Sequence, residues 1–135
     1  MKLSIVIPTL DEAGGIEATL AAAQRARADG AELLVVDGGS RDGTRALAAP
    51  LADRVIEAPR GRAAQMNAGA AAARGDVLLF LHADTLLPPN AFEAVAAGLA
   101  SGREWGRFDV SIAGAAALLP VVQLLKPYGA SSAWR

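Results

Sequence analysis

Acidic side chains follow three apolar runs of this 135-residue chain, close to the points where the runs end. Asp84 follows VLLFLHA, Asp37 follows ELLVV, and LSIVI stops at Pro8 and leads into TLDE. Because open parallel sheets bind ligands outside the carboxyl ends of their strands, we expect these groups at one edge of one sheet. A carboxylate exposed there can hold a divalent cation, which in turn neutralises a diphosphate.

Two interpretations of each strand-end aspartate stay open. Asp84 can bind the cation, or it can cap free N–H groups of the helix that follows it. Asp37 can accept hydrogen bonds from a base imino group or from ribose hydroxyls, as acids at the end of a second strand do in nucleotide-binding folds. Its alternative is an Asx turn before Gly38 and Gly39. The run GGSRDGT fits neither a phosphate loop ending in GKS or GKT nor the pattern GxGxxG.

Basic and polar side chains between the third predicted strand and its helix indicate anion binding. Arg60 and Arg62 flank Gly61, and two guanidinium groups near a helix N-terminus can bind phosphate oxygens. The alternative is a solvated basic loop. Asn67 follows early in the same helix, where an asparagine is more often a surface residue than a ligand. His82 is the only histidine, and without a Ser or Cys partner at a recognisable spacing it is more typical of a structural residue.

Composition and charge exclude several classes of partner. Lys+Arg 13 against Asp+Glu 14 gives a net charge of −1, which supplies no global field for nucleic acid. The chain has no cysteine, which excludes a disulfide framework and is compatible with a reducing cytosol. Its N-terminus indicates a first strand and not a signal peptide, and no run reaches the roughly 18 apolar residues that span a bilayer. We therefore expect a cytoplasmic protein without a transmembrane segment.

Apolar strand-like runs alternate with alanine-rich helical runs along most of the chain. This alternation predicts a doubly wound α/β layer with mostly parallel strands. We expect Asp42 to cap the second helix and Gly75 to end the third helix in a left-handed conformation. The predicted strands cover residues 3–7, 32–36, 54–57 and 77–82, with a further strand at 105–112; the predicted helices cover 15–28, a segment opening near 42 or 43, 62–74, and 88 to about 100.

Four motifs in order resemble those of family 2 glycosyltransferases with the GT-A fold. They are IVIPTLDE, VVDGGSRDGT, GRAAQMNAGAAAARGDVLLFLHADTLLP and WGRFDV. The resemblance covers residues 2 to about 114 and is closest to the bacterial subgroup named radical-SAM/selenodomain-associated transferase 2. It implies a Rossmann-like, mostly parallel sheet flanked by helices, which forms a nucleotide-sugar-binding domain over residues 1–114.

The resemblance also implies an activity, namely transfer of a sugar with inversion from a nucleotide-diphosphate sugar to an unknown acceptor, with Mg²⁺ or Mn²⁺ on the diphosphate. The HAD triplet occupies the family's DxD position, so Asp84 would bind the metal and His82 replaces the usual first aspartate. The resemblance implies nucleotide-binding roles for other residues as well. Pro8, Thr9 and Glu12 would line the nucleoside pocket, and Asp37 would contact the base. The ribose or the phosphates would be contacted by Arg60, Arg62 and Asn67.

The C-terminal segment departs from the family pattern. Family members continue through a region that carries the acceptor site and an aspartate that acts as catalytic base, whereas we expect residues 115–135 to be an apolar tail, truncated or divergent. None of the later carboxylates, Glu93, Glu104 and Asp109, can be assigned as the base, which must reach the acceptor hydroxyl. The alternative to an active transferase is therefore a catalytically inactive nucleotide-binding fragment that lacks the acceptor half.

Overall fold

The computed structural model describes residues 1–108, in which four strands alternate with four helices. In chain order the elements are β1 (Leu3–Thr9), α1 (Ile16–Ala28), β2 (Glu32–Asp37), α2 (Thr44–Ala48), β3 (Arg54–Glu57), α3 (Arg62–Ala72), β4 (Val77–Phe80) and α4 (Ala91–Ala100). The strands form one sheet in the order β3-β2-β1-β4, and every pair is parallel. The predicted α/β architecture with a mostly parallel sheet is confirmed.

β1 and β2 form the centre of the sheet, with a neighbouring strand on either side of each. Strands buried on both faces carry continuous apolar runs instead of an apolar–polar alternation, and both sequences show such a run. Ile5 of β1 pairs with Leu33 of β2, and both side chains are fully buried. The pairing continues to Thr9 and Asp37, which brings two polar side chains together at the carboxyl end of the sheet.

α3 packs on one face of the sheet through small residues. That face consists of Val6, Leu34 and Val36, and partly buried alanines of α3 pack against it. Gly69 makes the closest approach, because a Cβ atom there would lie 3.0 Å from Val36 Cγ2 and would overlap Val6. Protein interiors are close-packed, so the alanine and glycine side of α3 lets the helix lie close to the sheet.

Several element ends differ from those predicted from the sequence. β1 and β2 continue past their apolar runs to Thr9 and Asp37, because these two residues pair in register. β4 ends at Phe80, so His82 lies in the following loop. α4 begins at Ala91, and the two prolines predicted to start it lie in the loop before it.

The predicted left-handed cap at Gly75 is wrong. α3 ends at Ala72, and Gly75 is not among the described glycines with a positive φ. A Cβ atom at Gly75 would lie 2.6 Å from the carbonyl oxygen of Lys2 and 2.8 Å from the backbone nitrogen of Ser4. Glycine is needed here because the chain passes the start of β1 too closely for a side chain.

The chain divides into two compact units, and the division falls within α4. The first unit, Met1–Phe92, carries the sheet. The second begins at Glu93, and its described part contains the rest of α4 and irregular chain up to residue 108. No strand occurs at residues 105–108; the rest of the strand predicted at 105–112, the predicted boundary at 114 and the tail at 115–135 lie outside the described residues. Within residues 1–108, no helix is both long and apolar enough to cross a membrane.

Candidate functional site

The strand order reverses between β1 and β4. The chain runs from β1 outward through β2 and β3, and β4 then pairs with the other side of β1. In open α/β sheets such a reversal parts the loops that follow the two strands and leaves a crevice for a ligand. The loop after β4 is fixed by α1, because Thr19 Oγ1 donates a hydrogen bond of 2.6 Å to the Ala83 carbonyl oxygen, between His82 and Asp84.

Asp37 is fully buried at the end of β2 and accepts four hydrogen bonds. Thr9 Oγ1 and Ser40 Oγ donate to Oδ1 at 2.9 and 2.5 Å. The N–H groups of Gly39 and Ser40 donate to Oδ2 at 3.0 and 2.8 Å. Burial opposes ionisation, but the bonds from Ser40, Thr9 and Gly39 stabilise the charged form and hold the pKa of Asp37 below its ordinary value of 3.8. The anionic carboxylate therefore organises the turn after β2.

In this arrangement Asp37 forms the Asx turn that was its alternative interpretation. A carboxylate has about four lone-pair positions, and groups of the protein donate to Asp37 at four. A direct contact between Asp37 and a nucleotide base, which the family resemblance implies, would need one of these bonds to be released. That contact stays a prediction.

The loops that follow β1 and β2 are joined by hydrogen bonds in both directions. Asp11 N–H donates to Ser40 Oγ at 2.8 Å, and Arg41 N–H donates back to Asp11 Oδ1 at 2.8 Å. Glu12 N–H donates to Thr44 Oγ1 at 2.9 Å. Asp11 has a φ of 51°, which is uncommon for a residue other than glycine. The start of α2 therefore holds the backbone of Glu12, a predicted nucleoside contact.

Asp42 joins the same two loops. Its Oδ1 accepts a hydrogen bond of 3.1 Å from the Thr44 N–H at the start of α2, and its Oδ2 accepts one of 3.0 Å from the Ala13 N–H. Asp42 therefore satisfies the first N–H group of α2, as predicted, although Gly43 occupies the cap position itself.

Gln65, which no sequence motif singled out, is a buried amide in α3 with an exposed fraction of 4%. Its Nε2 donates to the carbonyl oxygens of Thr9 at 2.8 Å and Val36 at 2.9 Å, and its Oε1 accepts from the Gly61 N–H at 3.3 Å. The side chain therefore connects the ends of β1 and β2 to the turn before α3. The available sequence signal is its spacing of four from Gly69, which places both residues on the buried side of the helix.

Arg62, the first residue of α3, and His82, in the loop after β4, are in contact. Arg62 Nη2 lies 3.0 Å from His82 Nδ1. A guanidinium can only donate, so a hydrogen bond between these two atoms requires Nδ1 to accept and the ring proton to lie on Nε2. The contact joins the start of α3 to the loop after β4, and it places a permanent positive charge beside the HAD segment.

Asp84 is exposed in the loop after β4. Within residues 1–108 its carboxylate accepts one hydrogen bond, of 3.3 Å from Thr85 Oγ1 to Oδ1. The capping alternative is wrong, because the following helix begins only at Ala91. No group of three or more Asp, Glu or His side chains that could hold a metal occurs in the described part of the chain. An exposed carboxylate still fits Mg²⁺ or Mn²⁺, because a cation of this kind often takes one or two protein ligands and completes its shell with substrate phosphates and water.

The remaining predicted site residues lie on β1, in the loop after β1, and in or just before α3. Pro8, in β1, and Glu12, in the loop after it, are half-buried. Arg60 and Asn67 are exposed, the first in the turn before α3 and the second on α3 itself. The structure thus brings together Thr9 with Asp37 and Arg62 with His82. The predicted contacts of Pro8, Glu12, Arg60 and Asn67 with a nucleotide stay predictions.

The chain is similar to known proteins in sequence and in structure. A sequence model described as glycosyl transferase family 2 matches residues 4–115. An uncharacterised glycosyltransferase of Nostoc sp. is 28% identical over 102 residues. Glucosyl-3-phosphoglycerate synthase from Mycobacterium tuberculosis, solved with Mn²⁺, UDP and glucosyl-3-phosphoglycerate, has a TM-score of 0.66 and 25% identity over 78% of this chain. A mannosyltransferase from Pyrobaculum calidifontis, solved with GDP-Man and Mn²⁺, has a TM-score of 0.61 and 29% identity over 72% of this chain.

The chain covers only part of each of these relatives. The matched region is 70% of this chain but 32% of the Nostoc protein. The structural matches cover 42% of the Mycobacterium synthase and 31% of the Pyrobaculum mannosyltransferase. The likeness to these structures confirms the predicted GT-A fold, while the assignment to a subgroup stays a prediction.

Proposed function

The chain belongs to glycosyl transferase family 2, and we propose that it binds a nucleotide-diphosphate sugar and transfers the sugar, with inversion, to an acceptor. The observation that carries this proposal is the contact between Arg62 and His82. It places a guanidinium beside the loop that bears Asp84. A diphosphate needs positive charge around its oxygens, which a guanidinium supplies directly and a carboxylate supplies by holding a cation.

In this proposal different residues at the carboxyl edge of the sheet contact different parts of the nucleotide. Arg60 and Arg62 bind phosphate oxygens and stabilise the negative charge that the diphosphate acquires as its bond to the sugar breaks. His82 orients Arg62 through Nδ1 and presents its Nε2–H as a further donor to ribose or phosphate. The remaining assignments follow the family resemblance. Pro8, Thr9 and Glu12 line the nucleoside pocket, Asp37 contacts the base, and Asn67 contacts the ribose or the phosphates.

Asp84 is the proposed protein ligand of a divalent cation, Mg²⁺ or Mn²⁺. When bound, such a cation neutralises the diphosphate and makes it a better leaving group. The support is the exposure of the carboxylate and its position next to the Arg62–His82 contact. No catalytic base is assigned, so the step that removes the proton from the acceptor hydroxyl is left to residues that this proposal does not name.

Calorimetric titration of UDP, and separately of GDP, with and without Mn²⁺ tests the donor site. We expect nucleotide binding that depends on Mn²⁺ and that is lost in Asp84→Asn, because the amide removes the charge that holds the cation. Asp29→Asn is the matched control, since Asp29 pairs with Arg25 at the end of α1. Unchanged affinity in Asp84→Asn contradicts the metal assignment, and a wild type that binds neither nucleotide contradicts the proposed function.

A catalytically inactive nucleotide-binding fragment is the second candidate. The chain spans 32% of its Nostoc relative and 42% of the Mycobacterium synthase, so nucleotide binding and turnover are tested separately. Release of free nucleotide from a panel of UDP and GDP sugars separates the two candidates. Turnover that Asp84→Asn abolishes contradicts the inactive fragment, whereas tight binding without turnover favours it. The cytoplasmic location and the absence of a nucleic-acid partner remain part of both proposals.

A further inference from the structure

We propose that Gln65 is a positioning residue that holds the turn of Arg60 and Arg62 against the ends of β1 and β2, so that the guanidinium groups are preorganised for the donor diphosphate. The inference rests on the proposed function and deepens it, since it names the residue that sets where the phosphate-binding turn lies. Gln65 contacts no ligand in this assignment. It acts through the backbone of Gly61.

The side-chain amide of Gln65 uses all of its donors on segments of the candidate site. Its two N–H groups go to the carbonyl oxygens of Thr9 and Val36, at 2.8 and 2.9 Å. Thr9 donates to the Asp37 carboxylate, and Val36 immediately precedes Asp37 in β2. A buried amide with every N–H paired is held in one orientation, because any other would leave polar groups unsatisfied. The ends of β1 and β2 therefore fix where the Gln65 carbonyl points.

That carbonyl anchors the turn that carries Arg60 and leads into Arg62, the first residue of α3. Gly61 lies between them with φ 135° and ψ 130°, a conformation that residues other than glycine rarely adopt. Its N–H donates to Gln65 Oε1 at 3.3 Å, and its carbonyl oxygen accepts from the Gln65 backbone N–H at 2.9 Å. Both polar backbone groups of Gly61 are thus bonded to one residue, so the side chain of Gln65 controls one of the two restraints on the turn.

A substitution at Gly38 can displace the side chain of Gln65 while Gln65 itself is kept. A Cβ atom at Gly38 would lie 2.7 Å from Gln65 Oε1 and 2.9 Å from Gln65 Cδ. Gly38 is not among the described residues with a positive φ, so alanine is compatible with its backbone. Gly38→Ala therefore acts by pushing the amide away from the Gly61 N–H, and it should reproduce the effect of replacing Gln65.

Gln24 supplies the matched control. It is a partly buried amide in α1, and its Nε2 donates to the carbonyl oxygens of Leu20 at 3.0 Å and Leu51 at 2.8 Å. Neither partner is a predicted site residue. Gln24→Met therefore removes the same kind of bond, to two carbonyl oxygens, from a part of the fold that carries no phosphate-binding group.

The test compares wild type, Gln65→Met, Gly38→Ala and Gln24→Met in two measurements. The first is calorimetric titration of UDP and GDP in the presence of Mn²⁺, and the second is hydrogen exchange of the Gly61 amide without nucleotide. We expect Gln65→Met and Gly38→Ala to raise the Kd at least about tenfold and to accelerate exchange at Gly61. We expect Gln24→Met to lower the Tm and to change neither quantity.

Three outcomes overturn the inference, and one separate outcome contradicts the function beneath it. An unchanged Kd in Gln65→Met, an equal increase in Gln24→Met, or unchanged Gly61 exchange in Gln65→Met each rules out the positioning role. If Gln65→Met does not fold, Gly38→Ala decides by the same criteria. A wild type that binds neither UDP nor GDP contradicts the proposed function, while the exchange measurement still decides whether Gln65 anchors the turn.

Discussion

Asp37 and Asp84 both follow an apolar strand at the carboxyl edge of the sheet, yet their surroundings are opposite. Asp37 is fully buried and accepts four hydrogen bonds. Asp84 is exposed and, within the described chain, accepts one bond of 3.3 Å from Thr85 Oγ1. The difference comes from the residues that follow, because the chain after Asp37 turns back at once and presents the N–H groups of Gly39 and Ser40 to the carboxylate.

An aspartate at a strand end is therefore not in itself a sign of a ligand site. A carboxylate whose acceptor positions are filled by the protein stabilises a turn, whereas one that faces solvent is available to a cation. In this chain Asp37 stabilises the turn after β2, whereas the exposed carboxylate of Asp84 is available to the proposed cation.

The largest difference between the two aspartates is expected in stability. Asp37→Asn places an NH₂ group against O–H and N–H donors, so we expect the free energy of unfolding to fall by about 3 kcal/mol. Asp84→Asn leaves no buried group unpaired, and we expect a change below about 0.5 kcal/mol. Urea denaturation of the two variants measures both values, and similar losses would show that the two carboxylates do not differ as described.

Acid should remove the advantage that the wild type has over Asp37→Asn. Burial raises the pKa of Asp37, but the bonds from Ser40, Thr9 and Gly39 outweigh it and hold the pKa below 3.8. Ionised Asp37 therefore stabilises the fold above that pH, and the contribution is lost as the pH falls through the folded value. Urea denaturation between about pH 7 and about pH 3 follows the difference between the two proteins. A difference that stays constant over this range contradicts the assignment.

Two matched Thr→Val replacements are expected to give the smallest difference in stability between the sites of Asp37 and Asp84. Thr9→Val removes one buried donor to Asp37 with little change of shape, and we expect a loss of about 1 kcal/mol in the free energy of unfolding. Thr85→Val removes the long bond to the exposed Asp84, and we expect a loss below about 0.5 kcal/mol. Urea denaturation again decides, and a greater loss from Thr85→Val would reverse the order of the two sites.

The fold was predictable because its main signal is local. Apolar runs of strand length alternate with alanine-rich helical runs, and that pattern depends on neighbouring residues only. The ends of β1 and β2 were harder, because Thr9 and Asp37 are polar and become strand residues only by pairing with each other across the sheet. The role of Gly75 was missed for a related reason. A side chain at this position would overlap the backbone of Lys2, which is distant in sequence.

The sequence predicted that several candidate site residues lie near one another, but it did not predict their contacts. Strand-end positions and motif order placed Asp84, Arg62 and His82 at one edge of the sheet. The contact of Arg62 with His82 and the three bonds of Gln65 depend on how loops from different strands meet, which no spacing along the chain encodes. The spacing of Gln65 from Gly69 indicates the buried side of α3, but it does not indicate which backbone groups the amide contacts.

The strand pairing also predicts the order in which the strands join the sheet during folding. The bond between Ser4 and Glu32, at the start of β1 and β2, joins residues 28 positions apart, whereas the bond between Lys2 and Asp76, beside the pairing of β1 with β4, spans 74 positions. Closing a longer loop loses more chain entropy, and pairings of long sequence separation slow folding. We therefore expect β4 to dock on a sheet that β1, β2 and β3 have already formed. The turn at Asp37 would then form before the loop that carries Asp84, and the proposed metal site would be completed in the last folding step of the sheet.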